Sequence, residues 1–97
     1  MPDREIVQIL KASFARPLSK NPHVRSILVE RENDGWELHV FVDALGPDIT
    51  RRVAEQAGVA FDVMNARLYP LPMDFHVWDY RRRPQQSGAS SHRLLDR

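Results

Sequence analysis

Two histidines and a glutamate are the residues of this chain best suited to chemistry: His39, His76 and Glu37. Glu37 and His39 are two apart in a run of alternating character. In an extended strand such residues share a face. If the strand carrying His76 lies alongside, two imidazoles and a carboxylate come together, a set able to hold a transition metal. No spaced ligand motif accompanies them, and single histidines in strands are ordinary surface or interface residues. The reading is therefore no metal and no cofactor. Other chemistry has less support. Asp34, Asp43, Asp48, Asp62, Asp74 and Asp79 are scattered, with no Asp-x-Asp pair. Asp34 is accounted for by a turn and Asp48 by a helix start.

Cysteine is absent, which removes a thiolate nucleophile, a disulfide and any cysteine-based zinc site. It also suits a reducing, cytoplasmic setting. The sequence has no Gly-Ser signature of a nucleotidyltransferase, no Gly-x-x-Gly nucleotide clamp, no Walker loop and no nucleophile elbow. These absences predict no catalytic residues and a protein that is not an enzyme.

The elements that position these residues centre on a hairpin. Val24–Leu45 reads as two apolar-rich strands around Asp34-Gly35, a strong short-range hairpin signal. A two-residue turn there sets Val29 opposite Val40 and Ile27 opposite Val42. One face then collects Ile27, Val29, Trp36, Leu38, Val40 and Val42 as core. The other collects Ser26, Leu28, Glu30, Glu37, His39 and Phe41. Ahead of the hairpin, residues 3–16 form a helix with an Ile6, Ile9, Leu10 and Phe14 stripe, which Pro17 ends. After it, Pro47 and Asp48 open a second helix over residues 48–68. Its apolar repeat runs through Gly58, although glycine there costs roughly 1 kcal/mol relative to alanine. Residues 74–80 form a third strand, with Phe75 and Val77 toward the helices and His76, Trp78 and Tyr80 away from them. The spacing does not say which hairpin strand it pairs with.

The predicted fold class is α+β: a two-layer α-β-β-α-β sandwich, with a three-stranded mixed sheet and two helices on one face. Residues 1–83 form the single domain. Residues 84–97 read as a flexible basic tail with little to bury. Charge is unevenly placed. Residues 81–97 hold five arginines and Asp96, about +4, which leaves about −3 on residues 1–80. No apolar run reaches membrane-spanning length, so no membrane partner is expected.

With both helices on one face, the other is left open and carries Leu28, His39, Phe41, His76, Trp78 and Tyr80. An aromatic patch of this kind marks a partner surface. The expected partner is a second copy of the chain, giving a homodimer, or another protein. The alternative is a single-stranded RNA module, in which sheet aromatics stack bases and Arg81, Arg82 and Arg83 meet phosphates.

Three stretches carry a resemblance: Leu38-His39-Val40-Phe41-Val42-Asp43 in the second strand, Tyr69-Pro70 after the second helix, and Asp74-Phe75-His76-Val77 in the third strand. Over residues 24–80 the chain resembles a group of small uncharacterised bacterial proteins. The resemblance implies an α-β-β-α-β domain and carries over no catalytic residue.

Overall fold

The structure, a computed structural model, describes residues 2–68, 71–82 and 91–97. The elements are α1 (Asp3–Ser19), β1 (Val24–Arg31), β2 (Trp36–Val42), α2 (Pro47–Leu68), β3 (Met73–Asp79), a 3-10 turn (Tyr80–Arg82) and β4 (Ser91–Asp96). The sheet is mixed and four-stranded in the order β3-β2-β1-β4. β3 runs parallel to β2, and β1 is antiparallel to both β2 and β4. No helix among the described residues is long and apolar enough to cross a membrane.

The core lies between the helices and one sheet face. Ile6, Leu10, Phe14 and Leu18 of α1 pack with Val53, Ala60 and Met64 of α2 and with Ile27, Val29, Trp36, Leu38, Val40 and Val42 of the hairpin. These hairpin residues are the set that alternation assigns to the core. α2 is one helix through Gly58, where the open surroundings accept a residue with no side chain. The Tyr69-Pro70 turn falls outside the described residues.

Four expectations change. The sheet has a fourth strand, because Ser91–Asp96 of the expected tail pairs with β1 from Ser26 to Glu30. Its physical cause is Leu94, which is buried in the core, with Leu95 packed against it. Residues 84–90 of that tail lie outside the described residues. α1 continues through Pro17 to Ser19. Proline near a helix end sacrifices one backbone bond, and burial of Leu18 offsets it. The third strand starts and ends one residue earlier, since Tyr80 opens the 3-10 turn.

The hairpin register differs from a two-residue turn. Arg31 is opposite Trp36, Val29 opposite Leu38 and Ile27 opposite Val40, so residues 32–35 form the loop. The Trp36 amide donates to the Pro72 carbonyl at the start of β3, and the Glu32 amide donates to the Gly35 carbonyl. A slip of two residues keeps every side chain on its face, which is why the face assignment survives. A register shift between Val24 and Ser26 turns Val24 into the core opposite Val42.

Gly35 is required for proximity: a Cβ there would sit 2.5 Å from the Pro72 carbonyl oxygen. Gly35→Ala is therefore expected to cost about 1–3 kcal/mol, the range of an overpacked site. A urea titration checks it. A change near zero would mean that the Pro72 segment moves aside freely.

Candidate functional site

The helix-free face is a grid set by strand register. One row is Ser26, Phe41 and Trp78; the next is Leu28, His39 and His76; the third is Glu30, Glu37 and Asp74. The third row places carboxylates side by side on three adjacent strands. Like charges directly opposite each other destabilise a sheet. The arrangement around His39 answers that repulsion.

His39 is 4% exposed, and both of its ring nitrogens are engaged. The Trp78 Nε1–H donates to His39 Nδ1 at 2.9 Å. An indole N–H can only donate, so Nδ1 must carry a lone pair. The imidazole proton is thereby placed on Nε2, which lies 3.0 Å from Glu30 Oε1 and 3.4 Å from Glu37 Oε2. The Nε2–H donates to Glu30, and the Glu37 carboxylate lies beside it at ion-pair distance. His76 stacks on His39 with ring centroids 5.1 Å apart, and its Nε2 is 3.8 Å from Glu37 Oε1.

The crowding of negative charge reaches the hairpin loop. Glu32 is exposed, yet its carboxyl is held above the ordinary range, first by the charge of Glu37, then by partial desolvation and by the charge of Glu30.

Glu30, Glu37 and His39 bring one ligand atom each within 4.8 Å of one another. The spacing resembles a metal set, but the hydrogen-bond pattern does not. A metal on Nε2 would displace the proton donated to Glu30. It would also favour a proton on Nδ1, pointing at the Trp78 donor. The same pattern occupies both nitrogens that a general base would need. The arrangement is suited to holding three strands together.

The six residues expected on an open face fare unequally. All six lie on the helix-free face or its β3 end, but Leu28, His39 and Phe41 are buried, Phe41 to 1% exposure. His76, Trp78 and Tyr80 are half-buried. Arg25 of β1 places its guanidinium 4.8 Å from the Tyr80 ring centroid, reaching across β2. The accessible residues among these six therefore lie on the β3 side.

The arginine run does not act as one free basic patch. Arg81 donates through Nε and Nη2 to Asp79, each at 3.0 Å, and through Nη2 to the Asp43 carbonyl. The bonds to Asp79 hold the Arg81 guanidinium even more firmly charged than usual. The Arg82 side chain and Arg83 lie outside the described residues.

The bonds of His39 to Glu30 and to Trp78 were not foreseen from the sequence. Glu30, Glu37 and His39 fall on one face by alternation alone. Bringing Trp78 to His39 needs the parallel β2–β3 register, which an α-helical crossover leaves open.

No family model matches the chain, and neither a curated protein nor a solved structure does. The site and fold define a mixed-sheet α+β domain with a buried histidine at the centre of a carboxylate-rich face.

Proposed function

We propose that this chain is a small protein-interaction domain that self-associates through the β3 side of its sheet. The observation that supports this is the unequal burial of the helix-free face. The apolar and aromatic side chains of β1 and β2 on this face, Leu28, His39 and Phe41, are buried, whereas His76 and Trp78 of β3 and Tyr80 just after it remain half-exposed. Aromatic side chains in such a position are favoured anchors at interfaces.

The RNA reading has a weaker footing. A phosphate backbone laid across this face would meet Glu30, Glu37 and Asp74, and the Arg81 head group is already bonded to Asp79.

Sedimentation of the wild type across a concentration series tests the proposal. Self-association is expected by high micromolar concentration, and Trp78→Ala is expected to weaken it by about tenfold or more, as loss of an interface anchor does. Trp78 also bonds His39, so a thermal melt accompanies each run, and Tyr80→Ala serves as the second variant. A wild type that stays monomeric refutes self-association. Steeply salt-dependent binding of single-stranded RNA, lost in the same variants, would put the RNA reading in its place.

A further inference from the structure

Taking that reading of the β3 side as its basis, we propose that the partner is a second copy of this chain joined edge to edge, β3 antiparallel to β3, with the two-fold axis at His76. The four strands would then continue into an eight-stranded sheet.

The two edges of the sheet differ in a way that selects β3. β4 has six residues, its register with β1 shifts between Ile27 and Leu28, and its Arg93 and Asp96 are paired with each other at 2.8 Å. Irregularity, shortness and charge are the devices that blunt an edge strand. β3 has none of them along its middle. Its seven residues pair with β2 without a break from Met73 to Asp79. Phe75-His76-Val77-Trp78 is a run of aromatic and β-branched residues, which favour strands. On its outer side no described strand pairs with β3. All its residues but Asp74 are half-buried, on both faces, as expected where a neighbour is missing on one side only. Such an edge recognises an extended strand through its backbone groups.

The sequence of β3 indicates that the strand it accepts is its own. A two-fold axis normal to the sheet keeps each side chain on its face, so the axis must pass through a residue position. Placed at His76, it pairs all seven residues. Phe75 then meets the partner's Val77, and the reverse pair repeats it, which extends the apolar face under both helix layers. Asp74 meets the partner's Trp78 and Asp79 meets the partner's Met73, so no carboxylate opposes another. Moving the axis to Val77 sets Phe75 against the partner's Asp79. Moving it to Phe75 brings Pro72, which has no N–H, into the ladder.

The axis position makes a charge swap decisive. In this register residue 76 faces only its own copy. His76→Lys and His76→Glu should each weaken the dimer by about tenfold or more, because like charges would oppose each other at the axis. An equal mixture of the two variants should recover the wild-type mass in sedimentation, as heterodimers. Recovery failing in the mixture overturns the register, as does a His76→Lys protein that associates more tightly, which would point to pairing with the partner's Asp74. Dimers unaffected by either variant would overturn edge pairing while leaving self-association in place. A monomeric wild type would remove both. Hydrogen exchange on the unmodified chain gives an independent readout. Amides of residues 73–79 should gain protection as concentration rises, and those of residues 91–96 should not. Equal behaviour of the two strands would overturn the choice of edge.

Discussion

Removal of Ser91–Arg97 is expected to lower the melting temperature by well over ten degrees, or to abolish the cooperative transition. Leu94 is only 3% exposed and belongs to the core cluster. Truncating a buried leucine alone costs about 2–5 kcal/mol, and in a domain of this size each kcal/mol moves the midpoint by roughly 4–8 °C. The deletion removes more than that side chain. β1 loses its β4 neighbour from Ser26 to Glu30 and becomes an open edge. Arg97 also ties the segment after α1 to the start of β1. Its amide donates to the Arg25 carbonyl, and its guanidinium donates to the carbonyls of Ser19, Asn21 and Val24. A truncated protein that melts within a few degrees of the full chain would show that β4 contributes little to the fold. Differential scanning calorimetry decides it.

That expectation reverses the one drawn from the sequence, and the reason is instructive. The run Ser-His-Arg-Leu-Leu-Asp has two apolar residues and no alternation, so nothing in its own pattern marks a strand. It becomes one because β1 has an open side. Ile27 and Leu28 are there to be paired, and the shift between them places both Leu94 and Leu95 against the core. Long-range pairing of this kind depends on a partner remote in sequence, where local patterning carries no information. The hairpin is the opposite case. Alternation over Ile27–Val42 is local, and it assigned the core face correctly even though the loop is two residues longer than Asp34-Gly35 suggests. The glycine was legible as punctuation, but its cause was not. It lies in the approach of Pro72, which the sequence does not show. The site divides in the same way. Glu30, Glu37 and His39 are gathered by strand period alone. The burial of His39 and its bond to Trp78 require the β2–β3 register. Phe41 was legible as facing away from the helices and illegible as buried, because facing away from one layer says nothing about lateral neighbours.

The second large effect expected is on His39 itself. Replacement by phenylalanine keeps the ring and its stacking but removes both nitrogens, and should cost roughly 2–4 kcal/mol at neutral pH, the range for lost bonds to charged groups with a partner left unpaired. Two separable components make up that loss. The Trp78 N–H is left without its acceptor, a deficit that does not depend on pH. Glu30 loses the N–H it accepts from and remains directly opposite Glu37, a deficit that lasts as long as both are charged. The sign of the pH dependence follows from proton uptake. Glu32 already shows the direction: the charge of Glu37 first, then desolvation and the charge of Glu30, hold its carboxyl above the ordinary range. A carboxyl raised in the folded state binds protons there before the unfolded chain does, so stability is lost as pH rises through its titration and regained as pH falls. In His39→Phe the opposed Glu30 and Glu37 carboxylates keep their mutual repulsion with no N–H donor beside them to offset it. The gap between His39→Phe and wild type should therefore be widest near pH 7 and shrink toward about pH 4.5, where carboxyls begin to take up protons. Glu37→Gln added to His39→Phe should recover the same part of the loss at neutral pH, because it removes one of the two opposed charges. Urea titrations of the three proteins at both pH values measure all of this. A deficit equal at the two pH values, and untouched by Glu37→Gln, would mean that His39 acts only as a buried ring and that the opposed glutamates are relieved in some other way.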